Sequence, residues 1–339
     1  MSSRAKSRDL KMKTMKLNIK KILKYAASAA LAILLLWVSF REVEWSEFWA
    51  QVKACRWEFI ILSMAAGSFA FWLRAVRWRQ LLLPLDPSVS RLTAFNGVNI
   101  GNISNFIFPR IGEFIRCGVI TRRSKITYDK VLGTVVLERG WELLVMLLLL
   151  AVVVVGGASR FGGFFVEQIW TPLASRLSFS LWWIVALLAI AGLAGLWALW
   201  RYRDSNTFCS KVWGIFRGLG QGFSSCLRMD RKWLFFAYTA LIWVMYWLMA
   251  ASVMWAAPFL DGLDLIDALF LSLVGGLGFA VPVPGGIGAF HFIISLALSA
   301  IYGIPMEMGI IYATLSHTSQ AITQILFGLG SYASESLRR

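Results

Sequence analysis

NGVNIGNISNFIFPRIGEFIR, residues 96–116, is the stretch whose reading decides the fold. It carries four asparagines, three glycines, one proline and three charged residues. Asn96, Asn99, Asn102 and Asn105 recur every third residue, which on a helix makes a slowly slanting polar stripe. Phe108-Pro109 interrupts that helix, and Arg110, Gly112, Glu113 and Arg116 open a second, shorter one. A polar, broken, glycine-containing segment at membrane depth is tolerated only where it is packed in protein or lines a wet cavity.

The surroundings place it at that depth. The 339 residues are 58% hydrophobic and 15% charged, with a mean hydropathy of +0.66. A soluble domain averages about half apolar and about a quarter charged, so the composition is that of a multi-spanning membrane protein. Seventeen tryptophans agree with this, since indoles favour the lipid–water interface. A net charge of +16 would suggest nucleic acid if the basic residues clustered on a soluble face. They sit instead in short loops between apolar runs, and no nucleic-acid partner is expected. Cys55, Cys117, Cys209 and Cys226 have neither CxxC nor metal-ligand spacing. No metal and no cofactor is expected.

The pattern predicts an all-α integral membrane protein with six full spans and two broken, re-entrant-type helical hairpins, about eight membrane segments. A basic tail (1–24) precedes span 1 (25–40), which ends at Arg41-Glu42-Val43-Glu44 without a small-residue cleavage site and so reads as uncleaved. Span 2 covers 57–73 and is followed by Arg74, Arg77 and Arg79. The first hairpin is 92–120 and span 3 is 131–156. An outer loop (157–179) leads to span 4 (180–200), span 5 (233–256), a second hairpin (266–302) broken at 282–288, span 6 (310–330) and a tail (331–339).

Twenty-eight Lys/Arg lie in segments assigned to one side of the membrane and five in those assigned to the other. This positive-inside asymmetry predicts cytoplasmic termini and residence in the plasma (inner) membrane. The first hairpin has basic residues on both flanks, so it enters and leaves from the cytoplasm. The second is flanked by Asp261, Asp264 and Asp267 and by Glu307, so it enters and leaves from outside. Residues 25–156 and 180–330 then share the order span–span–hairpin–span in opposite orientations. A short internal similarity agrees: Pro109-Arg-Ile-Gly112-Glu-Phe114 against Gly285-Gly-Ile-Gly288-Ala-Phe290. Inverted repeats with Gly/Pro-broken segments at matching positions point to a transporter site near the midplane.

Half-helices that start near the midplane expose unpaired N–H groups and a positive dipole end, which suits an anion such as phosphate. Gly112, Gly285 and Gly286 permit close approach of a ligand to the backbone there, and Arg110 and Arg116 add charge. The alternative is a pair of kinked helices whose glycines serve packing. Glu138, Arg139 and Glu142 form a second cluster. With Glu113 and the arginines they are either a self-neutralising network that pins the hairpin to span 3, or a phosphate site with exchangeable carboxylates. Asn102 and Asn105 are expected to line the cavity. Gln320 belongs to a polar stripe of span 6 (Tyr312, Ser316, Thr323) that is read as a head-group path or as interhelical bonding. His291 and His317 are intramembrane, read as packing residues or proton relays. Asp261, Asp264 and Asp267 fit a helix start better than a metal site. No nucleotide-binding, serine-hydrolase or zinc-protease motif is present in the sequence.

The motifs at 109–116, Glu138-Arg139 with Glu142, and Pro282-Val-Pro284-Gly285-Gly286-Ile-Gly288, in that order, resemble the flippase-like family that includes the transmembrane region of lysylphosphatidylglycerol synthases, the multiple peptide resistance factors. The resemblance runs from span 1 to span 6. It implies the translocating part alone, since no synthase domain follows span 6 in this sequence. Two positions depart from the family: Glu142 stands where Asp is frequent, and His291 where a Glu often follows the PGG turn. The expected function is transbilayer translocation of an anionic lipid, either phospholipid or polyprenyl-phosphate-linked, by a chain that is not itself an enzyme. Arg110, Arg116 and Arg139 would bind phosphate, while Glu113, Glu138, Glu142 and His291 balance or couple charge. The alternatives are a membrane enzyme acting on a lipid-linked substrate and an accessory subunit of an envelope complex. A homo-oligomer or an envelope-enzyme partner fits either setting.

Overall fold

Long apolar runs with few breakers leave the backbone one economical solution in lipid, helices that satisfy their own N–H and C=O groups. The computed structural model describes residues 27–41, 43–164, 166–167, 171, 179–202, 207–224 and 229–338, and among these it contains helices and turns but no strand. The basic tail, the start of span 1, most of 165–178 and Cys226 lie outside the described residues.

In chain order the helices are α1 (Ala27–Phe40), α2 (Trp45–Ala54), α3 (Trp57–Leu82), α4 (Arg91–Ile107), α5 (Gly112–Arg123), α6 (Tyr128–Gly156) and α7 (Ala158–Phe164). There follow α8 (Phe179–Arg201), α9 (Thr207–Phe223), α10 (Lys232–Ala256), α11 (Leu265–Ala280), α12 (Ala289–Tyr302) and α13 (Met306–Leu337). Among the described residues four stretches are long and apolar enough to cross a membrane: α3, α6, α10 and Pro284–Tyr302, the last joining a one-turn helix to α12. Helices α1 and α11 are apolar but shorter.

The centre is an antiparallel pair. At one end the Arg56 N–H donates to the Ala256 carbonyl. At the other, the Arg77 guanidinium lies 3.4 Å from Thr239 Oγ1 and over the Phe235 ring. Two apolar clusters sit along this pair. One gathers Phe270, Leu271, Phe290, Ile294 and Ile311 around the second hairpin. The other gathers Trp78, Leu81, Val98, Ile120 and Val135 around the first.

Helix α3 does not stop at residue 73. Ala75, Trp78, Leu81 and Leu82 are buried and continue an apolar face through the arginines. Arg74 and Arg77, assigned from sequence to the flank of span 2, are therefore helical and point into the bundle.

Both hairpins take shape as the chain dictates. Phe108 is extended (φ −133°, ψ 122°), the conformation forced on a residue before proline. Arg110 follows with φ 60°, and Gly286, its counterpart in the internal similarity, has φ 76°. The arms then cross at close range. A Cβ on Gly101 would lie 2.9 Å from the Gly112 carbonyl oxygen, and one on Gly112 would overlap the Gly101 carbonyl. In the second hairpin a Cβ on Gly278 would lie 2.7 Å from Phe290 Cα. The two arms of the first hairpin, with 17 and 12 residues, and the first arm of the second, with 16, fall short of about 30 Å at 1.5 Å per residue, whereas the last arm, counted from Pro284, is of membrane length.

Asp264 and Asp267 form a reciprocal capping box at the start of α11, and Arg160 of α7 pairs with both at 3.1 and 2.8 Å. These acids thus serve the helix start.

Gly112→Ala is expected to destabilise the protein by about 1–3 kcal/mol or more, because backbone and not a flexible side chain stands in the way. Gly118→Ala, in the same helix with nothing within 4 Å, is expected to be neutral or stabilising by up to about 1 kcal/mol. Thermal unfolding of the two variants in one detergent distinguishes them.

Candidate functional site

A carboxylate as deep as Glu138, whose side chain is 0% exposed, is stable in ionised form only if cations are brought to it. Three helices supply them. Arg77 of α3 places Nη2 3.3 Å from Glu138 Oε1 and 2.6 Å from Glu142 Oε1. Arg116 of α5 places Nη1 2.9 Å from Glu138 Oε2 and Nη2 2.8 Å from Glu113 Oε2. Arg139 of α6 reaches Glu142 Oε2 at 2.6 Å, Glu138 Oε1 at 3.4 Å and Glu113 Oε1 at 3.1 Å. Every carboxylate oxygen of the three acids therefore has an arginine nitrogen beside it. Stacking adds to this. The Arg116 guanidinium carbon is 4.7 Å from the Trp78 ring centroid, and the Trp78 indole donates to Thr134 Oγ1 at 3.0 Å.

On one side the network borders a narrow polar cleft at the crossing of the first hairpin, with room for about one water in this conformation. Arg74, Gly101, Asn102, Asn105, Gly112, Glu113, Arg116 and Arg139 line it, together with Val98. The Glu113 carboxylate and one amide oxygen are spoken for. Asn105 Oδ1 takes the Gly112 N–H at 2.8 Å, which caps the start of α5 across the turn. Several donors are not: Arg74 Nε, Asn102 Nδ2 and Arg116 Nε are sealed from solvent and have no partner. Spare donors beside an arginine cluster suit an oxyanion.

The residues singled out from sequence divide into two groups. Arg116, Arg139, Asn102, Asn105, Gly112 and Glu113 line the cleft, with Glu138 and Glu142 joined to it through their ion pairs. Arg110, Gly285, Gly286 and His291 lie elsewhere, where the hairpin tips meet, and Gln320 lies on α13. Arg110 donates to the Ala280 carbonyl at the end of α11. The Gly285 carbonyl lies 2.9 Å from His317 Nε2, and a Cβ on Gly285 would be 2.6 Å from Phe106. Gly286 faces Phe279 in the same way. His291 and His317 lie with ring centroids 5.1 Å apart, tilted at 49°, among Phe40, Phe279 and Phe290.

The stripe on α13 is bonded within the bundle. Tyr312 donates to the Ala250 carbonyl at 3.2 Å, Gln320 to Ser316 Oγ at 3.2 Å, and Thr323 to the Ser319 carbonyl at 2.8 Å. Asn96 is likewise tied, to Ser334 and Glu335. Two members of the site were not recognised from sequence, Arg74 and Arg77. The available signal was the apolar periodicity of Ala75, Trp78, Leu81 and Leu82, which carries the helix past them.

A family model described as the lysylphosphatidylglycerol synthase TM region matches residues 25–328, and the chain belongs to that family. Searches of curated proteins and of solved structures give no match.

Arg77→Leu leaves Glu138 and Glu142 short of a partner in the interior and is expected to cost about 3–5 kcal/mol. Arg77→Leu/Glu142→Leu removes one charge of each sign and is expected to recover most of that loss. Unfolding midpoints in detergent, with helicity followed by circular dichroism, check the order. A single variant as stable as wild type would mean that the network does not pin these helices.

Proposed function

We propose that this membrane protein moves an anionic lipid between leaflets, with the head group admitted to the cleft at the first hairpin and the acyl chains left in the bilayer. The observation that carries this reading is the cleft itself. It is polar and rich in arginine, it has spare donors, and it is set among helices long and apolar enough to cross a membrane. Membership of a family named for the membrane region of a lipid synthase supports a role in lipid handling.

In this proposal the chain has six spans, and its two hairpins enter from opposite faces of the plasma membrane, with the termini in the cytoplasm. The antiparallel α3–α10 pair is what an inverted repeat requires, since each is the second span of its half. The first hairpin then forms the phosphate-binding wall. The second, aromatic and lacking spare charge, forms the opposing wall of the gate, and the Arg110–Ala280 contact joins them. With every carboxylate oxygen held by arginine, the acids act as charge balance rather than as a free catalytic base.

Opening the cleft requires Arg139 to exchange acid contacts for phosphate contacts, which the planar guanidinium makes as a fork and an ammonium does not. Reconstituted protein is expected to speed the loss of inner-leaflet fluorescence from a labelled phosphatidylglycerol exposed to dithionite. Arg139→Lys is expected to slow that rate about tenfold or more, equivalent to losing one charge-assisted contact. Lipid masses should be unchanged after the assay; a new mass would favour an enzyme. Folded protein that leaves sidedness untouched across a panel of anionic lipids would remove the proposal.

A further inference from the structure

Charge in the cleft does not balance. Arg77, Arg116 and Arg139 are matched by Glu113, Glu138 and Glu142, and all six are joined by ion pairs of 3.4 Å or less. Arg74 is a fourth arginine on the same cleft. Among the described residues it has no ion-pair partner, and its Nε is sealed from solvent with no hydrogen-bond partner. Four arginines against three glutamates leave a formal charge of +1. Glu142, Glu138 and Glu113 lie within electrostatic range of Arg74 without pairing with it, so the cluster as a whole carries the excess. Excess charge in a low-dielectric interior is costly, and a fixed arginine cannot escape the cost by losing its proton. A ligand that supplies one negative charge removes that cost.

We propose that Arg74 joins Arg139 in binding the ligand, as the one arginine of the cluster that makes no ion pair among the described residues, and that the cleft selects a phosphodiester, a phosphate group carrying a single negative charge. The proposal rests on the cleft being the lipid site. A monoanion brings the cluster to neutrality. A phosphomonoester carries about −1.5 to −2 at pH 7 and would leave it negative, and a diphosphate would do so further. The spare donors come from three helices, Arg74 Nε on α3, Asn102 Nδ2 on α4 and Arg116 Nε on α5. Donors from several directions suit a tetrahedral group with two free oxygens better than a planar carboxylate. Arg74 differs from its neighbours in one further respect: it breaks no ion pair when it engages the ligand. The ester-linked arms of a phosphodiester leave through the open side of the cleft, so the charge count fixes the phosphate class and not what is attached to it.

The test is binding by purified protein in detergent, read by thermal shift and by titration calorimetry, with no bilayer and no translocation involved. Dioctanoyl-phosphatidylglycerol is expected to bind and stabilise. Dioctanoyl-phosphatidic acid is expected to bind about tenfold more weakly, and dioctanoylglycerol not at all. Arg74→Gln is expected to weaken phosphatidylglycerol binding about tenfold or more, while the unliganded protein stays as stable as wild type or becomes more so. That last result separates Arg74 from Arg77, whose loss breaks pairs. Arg74→Lys, which keeps the charge, is expected to retain part of the affinity.

Phosphatidic acid binding as tightly as phosphatidylglycerol to the wild type overturns the proposal, whatever the variants do. So does an Arg74→Gln protein that binds as wild type, or one destabilised without ligand as Arg77→Leu is. Glycerophosphoglycerol, the same head group without acyl chains, is expected to bind far more weakly than the lipid. Equal binding would keep the phosphodiester site but make its ligand a soluble one, against the translocation reading. If the binding results hold and sidedness in liposomes does not change, translocation fails and the site stands. If sidedness changes and Arg74→Gln is neutral, the site fails and translocation stands.

Discussion

Glu138 has no exposed side-chain surface and accepts from three arginines, one on each of α3, α5 and α6. A charge at that depth has to be matched by opposite charge within a few ångströms, or the helix that carries it could not remain in the bundle. The requirement couples elements far apart in the chain. Helix α3 must run eight residues past Arg74 so that Arg77 can reach inward, and the second arm of the first hairpin must lie against α6 so that Arg116 can. The hairpin is held in place by this match together with its apolar contacts.

The backbone permits the match. At the crossing of α4 and α5 two glycines face one another, and the first helical N–H of α5 is taken by Asn105. A side chain at either glycine would push the arms apart and carry Arg116 away from Glu138. The second hairpin repeats the close crossing with Gly278 against Phe290, and repeats the left-handed turn residue, Gly286 where the first has Arg110. Its chemistry is different. Around its tip lie Phe40, Phe279, Phe290 and two histidines, where the first hairpin has arginines and asparagines. Similar backbone devices thus carry a polar wall on one side and an aromatic one on the other.

This asymmetry explains which sequence signals led to the cleft and which did not. The residues that line it came from the broken asparagine-rich segment and from the acid–arginine cluster of α6, both conspicuous because charge and amide groups are expensive at membrane depth. Arg110 was equally conspicuous, but it ties the two tips. The polar stripe of α13 bonds to Ala250 and within its own helix, and His291 lies among aromatic rings. A polar residue in an apolar helix identifies itself as paired with something, and its identity alone does not name the partner.

The sequence by itself determined what local chemistry controls. It specified helices in apolar runs, a break at Phe108-Pro109, a turn at 284–288, capping acids at α11, and charges that must find partners. It also carried the three motifs of the family. Only the tertiary structure decided the pairings. Arg74 and Arg77 sit three residues apart on one helix, and the rotation of α3 against α6 and α10 gives Arg77 two carboxylates and Arg74 none. That rotation is set by how whole helix faces pack, a sum over many weak contacts between residues distant in the chain. The stretch 96–116 announced a polar site in a membrane protein; the packing of α3 beside it decided that the site holds one more positive charge than negative.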